Sequence, residues 1–221
     1  MPNIPVVETI LSVNDQLAEQ NRKTLDDAGV LALNVMASPG GGKTTVIGKT
    51  IDALRDDVRI GVMDGDIVAI DLEGFAAQGI PVSLINTGGN CHLDANMVHN
   101  ALPTMDLNAL DLLIIENVGN LVCPAAFKLG SHINVVIASV PEGADKPYKY
   151  PAMFSGADVL LLNKMDLAEY MEFDVEYFRH GVEVLNPGVA FFPISCRTGE
   201  GLDAWIDWLR ARLAEKAQPG A

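Results

Sequence analysis

Cysteine is scarce in this chain, basic residues are outnumbered by acidic ones, and long apolar runs are absent. The cysteines number three. An odd and small set does not make a disulfide framework, so free thiols in a reducing cytoplasm are expected. Fifteen Lys and Arg against 29 Asp and Glu leave a net charge of −14. Phosphates would be repelled over most of such a surface, which argues against non-specific nucleic-acid binding and against anionic membranes. It does not exclude a phosphate held locally by backbone amides. No stretch approaches the ~20 apolar residues of a membrane span. The opening Met1-Pro-Asn-Ile-Pro-Val-Val-Glu8 has neither the basic segment nor the apolar core of an export signal, so a cytoplasmic location is expected. Internal repeats and low-complexity segments are absent too.

What is present suits a single α/β domain. With 221 residues, 49% of them hydrophobic, the chain can bury a sizeable core. Residues 8–28 pattern as an amphipathic helix, with Ile10, Leu11, Leu17 and Leu25 among polar residues. Apolar runs then recur at Val30–Met36, Val58–Met63, Pro81–Ile85, Leu112–Ile115, Ile133–Val140, Val159–Leu162 and Val189–Phe192. Helical patterns such as Thr45–Leu54, Leu93–Leu102 and Leu202–Ala217 alternate with several of them. Such alternation predicts a mostly parallel sheet with helices on both faces and ligands at the carboxyl ends of the strands. The expected organisation is a helical extension over 1–28, the α/β domain over 29–216, and a flexible tail over 217–221.

The chemistry starts at Ala37-Ser-Pro-Gly-Gly-Gly-Lys-Thr44, between the first apolar run and a helical segment. This strand–loop–helix context makes it a P-loop. Gly40, Gly41 and Gly42 let the backbone approach a phosphate chain, and amides at the helix start supply positive partial charge. Lys43 can reach the β- and γ-phosphates, Thr44 can offer its hydroxyl to Mg²⁺, and Thr45 follows in the same turn. The pattern normally opens with glycine. Ala37 is compatible only if that position needs no positive φ.

A second apolar run ends in Asn163-Lys164-Met165-Asp166. A carboxylate at 166 can accept two hydrogen bonds, from the N1–H and 2-amino group of guanine. Adenine lacks these donors there and would leave the carboxylate unpaired. Asn163 can bond the base edge or tie loops together, and the Lys164 stem can cover the ring. Ser195-Cys196-Arg197, after the last apolar run, reads as a further base-contacting loop or as a plain strand-to-helix turn.

Acids stand at other strand ends: Asp64-Gly-Asp66, then Asp71 in an expected mobile loop, and Glu116. Beside a P-loop they can hold Mg²⁺, directly or through water, or orient an attacking water. Equally, strand-end acids cap helices or face solvent. Cys91 and His92 are adjacent in Gly88-Gly-Asn-Cys-His-Leu-Asp-Ala95, and Cys123 follows in Asn117-Val-Gly-Asn-Leu-Val-Cys-Pro124. Two thiolates and an imidazole suit Zn²⁺ or Ni²⁺ and leave an open coordination position. Cysteines so placed are also common as small core residues.

These elements appear together with Glu142-Gly, Asp145-Lys-Pro and Lys149-Tyr-Pro151 in an order that resembles the HypB-type GTPases, which help insert nickel into [NiFe]-hydrogenase. The likeness runs over roughly residues 8–215. It implies that Cys91, His92 and Cys123 are metal ligands and that Asp66 and Asp71 occupy switch positions near Mg²⁺. It also implies a GTP-dependent homodimer with metal ligands near the interface, a nickel-supplying partner protein, and the hydrogenase large subunit as recipient. Family members often carry an N-terminal cysteine cluster or a histidine-rich stretch. Here no cysteine precedes Cys91 and no histidine precedes His92, so a separate storage site is not expected.

The resulting expectation is a slow GTPase that couples GTP/GDP state to metal delivery, with Lys43, Asp66 and Glu116 in the catalytic set. The rival expectation is a metal-storing or metal-sensing protein with incidental hydrolysis. Asn163-Lys164-x-Asp166 disfavours a third, a small-molecule kinase.

Overall fold

The computed structural model describes residues 10–68 and 70–218; the side chains of Ile10, Ile70 and Asp71 lie outside that description. Seven strands form one sheet: β1 (Leu31–Ala37), β2 (Ile60–Asp66), β3 (Val82–Asn86), β4 (Leu112–Glu116), β5 (Ile133–Ser139), β6 (Val159–Asn163) and β7 (Ala190–Pro193). Their order is β3-β2-β4-β1-β5-β6-β7, and every pairing is parallel. All seven apolar runs of the sequence are strands, with ends shifted by at most three residues. β1, β4 and β6 are buried at every position, as strands covered on both faces must be.

The helices are α1 (Ile10–Asp27), α2 (Lys43–Leu54), α3 (Ile70–Ala76), α4 (Ala95–Ala101), α5 (Lys146–Lys149), α6 (Pro151–Ser155), α7 (Val175–Leu185) and α8 (Leu202–Lys216). Leu31, Leu33 and Val35 of β1 face a core shared with α2, α3 and α8. Ala32 and Met36 face the other side, where one core joins α1 and α4 and another joins α6 and α7. Among the described residues no helix is long and apolar enough to cross a membrane.

Two expectations change. Residue 71 lies in α3 rather than in a loop, because Leu72 and Phe75, three residues apart, pack into the core and hold a helical turn there. The side chain of Asp71 falls outside the described residues. The buried stripe of α1 is Asn14, Ala18, Asn21 and Leu25, while Leu11 is exposed. The asparagines turn inward because they satisfy backbone groups. Asn14 Oδ1 accepts from the Ala95 amide at 2.8 Å, and Asn21 Nδ2 donates to the Ala95 and Leu129 carbonyls at 2.8 and 3.0 Å. Helix α1 is thereby pinned to the start of α4. The expected boundaries at 28 and 216 fall beside the ends of α1 and α8, and residues 1–9 and 219–221 lie outside the described residues.

Candidate functional site

The carboxyl ends of β1, β2, β4 and β6 converge on a cleft of about 550 Å³ lined by Gly40, Lys43, Thr44, Asp64, Asp66 and Glu116, among others. The phosphate loop leaves β1 at its last residue, Ala37, which does not have a positive φ, so the missing first glycine introduces no strain. Left-handed backbone is needed later. Gly42 has φ 98° as the residue that caps α2, and a Cβ there would lie 2.5 Å from Asn163 Nδ2. Lys43 and Thr44 then open α2, with Lys43 on the cleft wall.

The loop from Asn163 to Asp166 is fastened to the phosphate loop. Asn163 Nδ2 donates to the Gly41 carbonyl at 3.2 Å, and Lys164 Nζ donates to the Gly40 carbonyl at 2.6 Å. Lys164 itself has φ 63°, a conformation uncommon for a side-chain-bearing residue. Its N–H bond to Asn163 Oδ1 at 2.8 Å helps hold it there. Asn163, buried, is thus a loop tie. A second hollow of about 340 Å³, lined by Asn163, Lys164, Asp166, Cys196 and Arg197, shares Gly42, Thr45 and Lys164 with the phosphate cleft. It has the position and apolar character to take a base. Asp166 Oδ1 accepts from the Ser195 hydroxyl at 2.7 Å, and Oδ2 pairs with Arg197 at 3.3 Å. The Ser195 bond, and after it the Arg197 charge, keeps the Asp166 carboxyl below its ordinary range against the opposing pull of desolvation.

The acids divide by burial. Glu116 and Asp64 are buried and stand opposite each other in the β2–β4 register. Thr44 Oγ1 donates to Glu116 Oε1 at 3.0 Å. Asp66, at the tip of β2, is exposed, and its Oδ1 accepts from the Ile67 amide at 2.6 Å. Four oxygen-bearing side chains therefore flank the start of α2, a donor set that fits a small hard divalent cation such as Mg²⁺.

Cys91, His92 and Cys123 are brought together, their ligand atoms all within 4.8 Å of one another. The two sulfurs are 2.9 Å apart, and Cys91 Sγ is 3.7 Å from His92 Nδ1. The hydrogen bond between the thiols pushes the Cys91 pKa above its ordinary value. Support comes from Phe127, stacked on the His92 ring at 3.9 Å, and from Asn120, which donates to the Cys91 carbonyl at 3.2 Å. Cys91 is exposed, so the cluster opens to solvent.

Other residues at the site were not singled out from the sequence. Glu142 takes the Ser139 hydroxyl at 2.7 Å on one oxygen and the Ser38 hydroxyl on the other, bracing the phosphate loop against the end of β5. Its presence in Glu142-Gly143 was the available signal. Asp64 was visible as a strand-end acid. Asn117, Asn120 and Phe127 carry no local pattern that reveals their contacts.

Residues 31–193 match the family model for the CobW/HypB/UreG nucleotide-binding domain. The chain is 45% identical over 204 residues to the hydrogenase maturation factor HypB of Escherichia coli (strain K12), an alignment that takes in 92% of this chain and 70% of that protein. It is similar to the crystal structure of HypB from Archaeoglobus fulgidus, with 42% identity and a TM-score of 0.87 over 91% of this chain and 99% of the other. It is similar too to the crystal structure of HypB from Helicobacter pylori in complex with nickel, with 35% identity and a TM-score of 0.88 over 95% of this chain and 99% of the other.

Proposed function

We infer from this chain's membership of the HypB family of hydrogenase maturation factors, to which it belongs by sequence and by fold, that it is a cytoplasmic GTPase delivering nickel during hydrogenase maturation. The observation that carries this reading is the short link between its two sites. Glu116 closes the phosphate cleft and Cys123 closes the metal cluster, seven residues on along one segment.

Guanine is read by Asp166, held ionised and oriented by Ser195 and Arg197. Lys164 and Asn163 keep that loop in register with the phosphate loop. The glycine amides and Lys43 bind the β- and γ-phosphates and offset charge that builds on the bridging oxygen. Thr44, Asp64, Asp66 and Glu116 would hold Mg²⁺, directly or through water, and the ion would neutralise phosphate charge. Asp66, exposed at the cleft mouth, is the residue assigned to orient the attacking water. Slow turnover is expected of a switch of this kind.

Nickel is the cargo, taken by the Cys91 and Cys123 thiolates and the His92 imidazole. Zn²⁺ suits the same donors. Three ligands leave a position for water, a recipient's group or a second subunit. A GTP-dependent homodimer is expected to bring the metal ligands near its interface, and Ile67, Val68 and Val122, close in sequence to Asp66 and Cys123, are aliphatic and exposed. A nickel-supplying protein and the hydrogenase large subunit are the partners expected on either side of the transfer.

The test is equilibrium nickel titration of nucleotide-free, GDP-bound and GTP-analogue-bound protein, with the mass measured in each state. Metal affinity and mass that change with nucleotide are expected. Identical affinity, stoichiometry and mass in all three states would remove the coupling.

A further inference from the structure

We propose that Asn117 is the positioning residue that carries the nucleotide state to the metal loop. The proposal rests on the coupling reading above and names the group through which that coupling acts. Asn117 directly follows Glu116, and its side chain is 1% exposed. Its Oδ1 accepts from the Leu93 amide at 3.0 Å and from the Val118 amide at 2.9 Å, and its Nδ2 donates to Asn34 Oδ1 at 3.0 Å. Its backbone N–H donates to the Val35 carbonyl at 2.9 Å, on the strand that feeds the phosphate loop. One side chain therefore joins β1, the tip of β4 and the peptide that follows His92.

Leu93 makes the matching contact from the other side. It is fully buried, and its side chain lies over Gly65, where a Cβ would come within 2.7 Å of it. Gly65 separates the two strand-end acids Asp64 and Asp66. The residue next to His92 is thus held by its backbone to the Glu116 strand and by its side chain to the Asp64–Asp66 strand. An amide that accepts two N–H bonds and donates one has no second rotamer that keeps them all, and buried polar groups left unpaired are unfavourable. When contact with the terminal phosphate shifts the segment after Glu116, the Leu93 peptide moves with it. The His92 ring then changes its distance from the two thiolates, and metal sites tolerate only a few tenths of an ångström in ligand distance.

The experiment is nickel titration of the parent, Asn117→Ala and Asn117→Asp at saturating GDP and at saturating GTP analogue. Thermal unfolding checks each variant, and amide hydrogen exchange at Leu93 is followed in the parent. The parent should show an affinity ratio between states within the usual allosteric range of about 5- to 150-fold. Asn117→Ala should bring that ratio close to one. Asn117→Asp keeps the acceptor oxygen for the Leu93 and Val118 amides and loses only the donor to Asn34, so it should retain more of the ratio than Asn117→Ala. Exchange at Leu93 should differ between the two nucleotide states. A folded Asn117→Ala that keeps the parental ratio would overturn the proposal. So would Leu93 exchange that is the same in both states, a measurement that stands even if the alanine variant does not fold. A parent with equal affinities in both states would overturn the coupling reading itself, and that outcome is distinct from an unequal parent whose ratio ignores Asn117.

Discussion

The nucleotide site and the metal cluster lie at the two ends of the segment from Glu116 to Cys123, yet they are built in opposite ways. The nucleotide site stands on strand tips and a helix start. Its loops are tied to each other through Asn163, Lys164 and Glu142, and its acids Asp64 and Glu116 are buried. The metal cluster stands on two loops, with one exposed thiol and two half-buried ligands. The ligands themselves are steadied by one stacked ring and one exposed amide bond, and the buried tie nearest them is the Leu93 amide on Asn117. A preorganised site suits a ligand whose transition-state charge must be met without reorganisation. An open site with an incomplete ligand set suits a cargo that must enter and leave.

The sharpest way to break this comparison is to strip each site of its charge. Lys43→Ala should lower GTP hydrolysis by at least the ~10²-fold that loss of one preorganised stabilising group produces, while circular dichroism shows an intact fold. Near-normal turnover in a folded variant would remove the P-loop assignment. Alanine at Cys91, His92 or Cys123 should each weaken nickel binding by at least the ~10- to 100-fold that even an outer-shell change produces. The metal-free variants should still bind GTP. Parental nickel affinity in all three would make the cysteines structural.

The sites should also part company with pH. Metal binding displaces protons from two thiols, and Cys91 holds its proton more tightly than an ordinary cysteine because of the bond to Cys123. Nickel affinity should therefore fall steadily from about pH 8 to about pH 6. Asp166 has the opposite sign. Its pKa is depressed, so its ionised form is present above the ordinary carboxylate range and is lost only as pH falls through the depressed value. GTP affinity of metal-free protein should be flat over the same interval. Parallel profiles would mean that the two sites titrate as one.

Two smaller effects refine the guanine half. Asp166→Asn replaces a charged two-acceptor group by an amide with one acceptor, and should weaken guanine nucleotide by more than ~1 kcal/mol. Competition between GTP and ATP would reveal the relaxed preference, and unchanged discrimination would assign the reading elsewhere. Arg197→Ala removes the exposed side of a pair whose other member, Asp166, keeps its Ser195 bond, and should shift stability by less than ~1 kcal/mol in chemical unfolding. A larger loss would make Arg197 a structural member of the site.

Much of the nucleotide site was legible because its chemistry is contiguous. Ala37 to Thr44 and Asn163 to Asp166 each carry their groups within one strand–loop unit, and backbone geometry places them at a strand tip wherever the strand goes. The seven strands were legible for a related reason, since burial on both faces writes an apolar run into the chain. Helix α3 and the inward turn of Asn14 and Asn21 were not legible. Leu72 and Phe75 are too few to mark a helix by period, and a buried asparagine is explained only by the backbone groups it meets. Cys91, His92 and Cys123 were recognisable as a ligand set from their chemistry and family likeness, but their convergence is a matter of distance in space.

The sequence by itself determined the seven strands and the phosphate loop, because each depends on neighbours a few residues apart, and it nominated Asp166 for guanine and Cys91, His92 and Cys123 for metal by their chemistry and family likeness. Only the tertiary structure decided which of these meet. The strand order puts β4 between β1 and β2, and so sets Glu116 opposite Asp64 and beside Thr44. It seats Asn163 under Gly41, 122 residues away, and Asn117 against Leu93, 24 residues away. Alternating strands and helices are compatible with many strand orders. The burial and hydrogen-bond satisfaction that select one are properties of the packed whole.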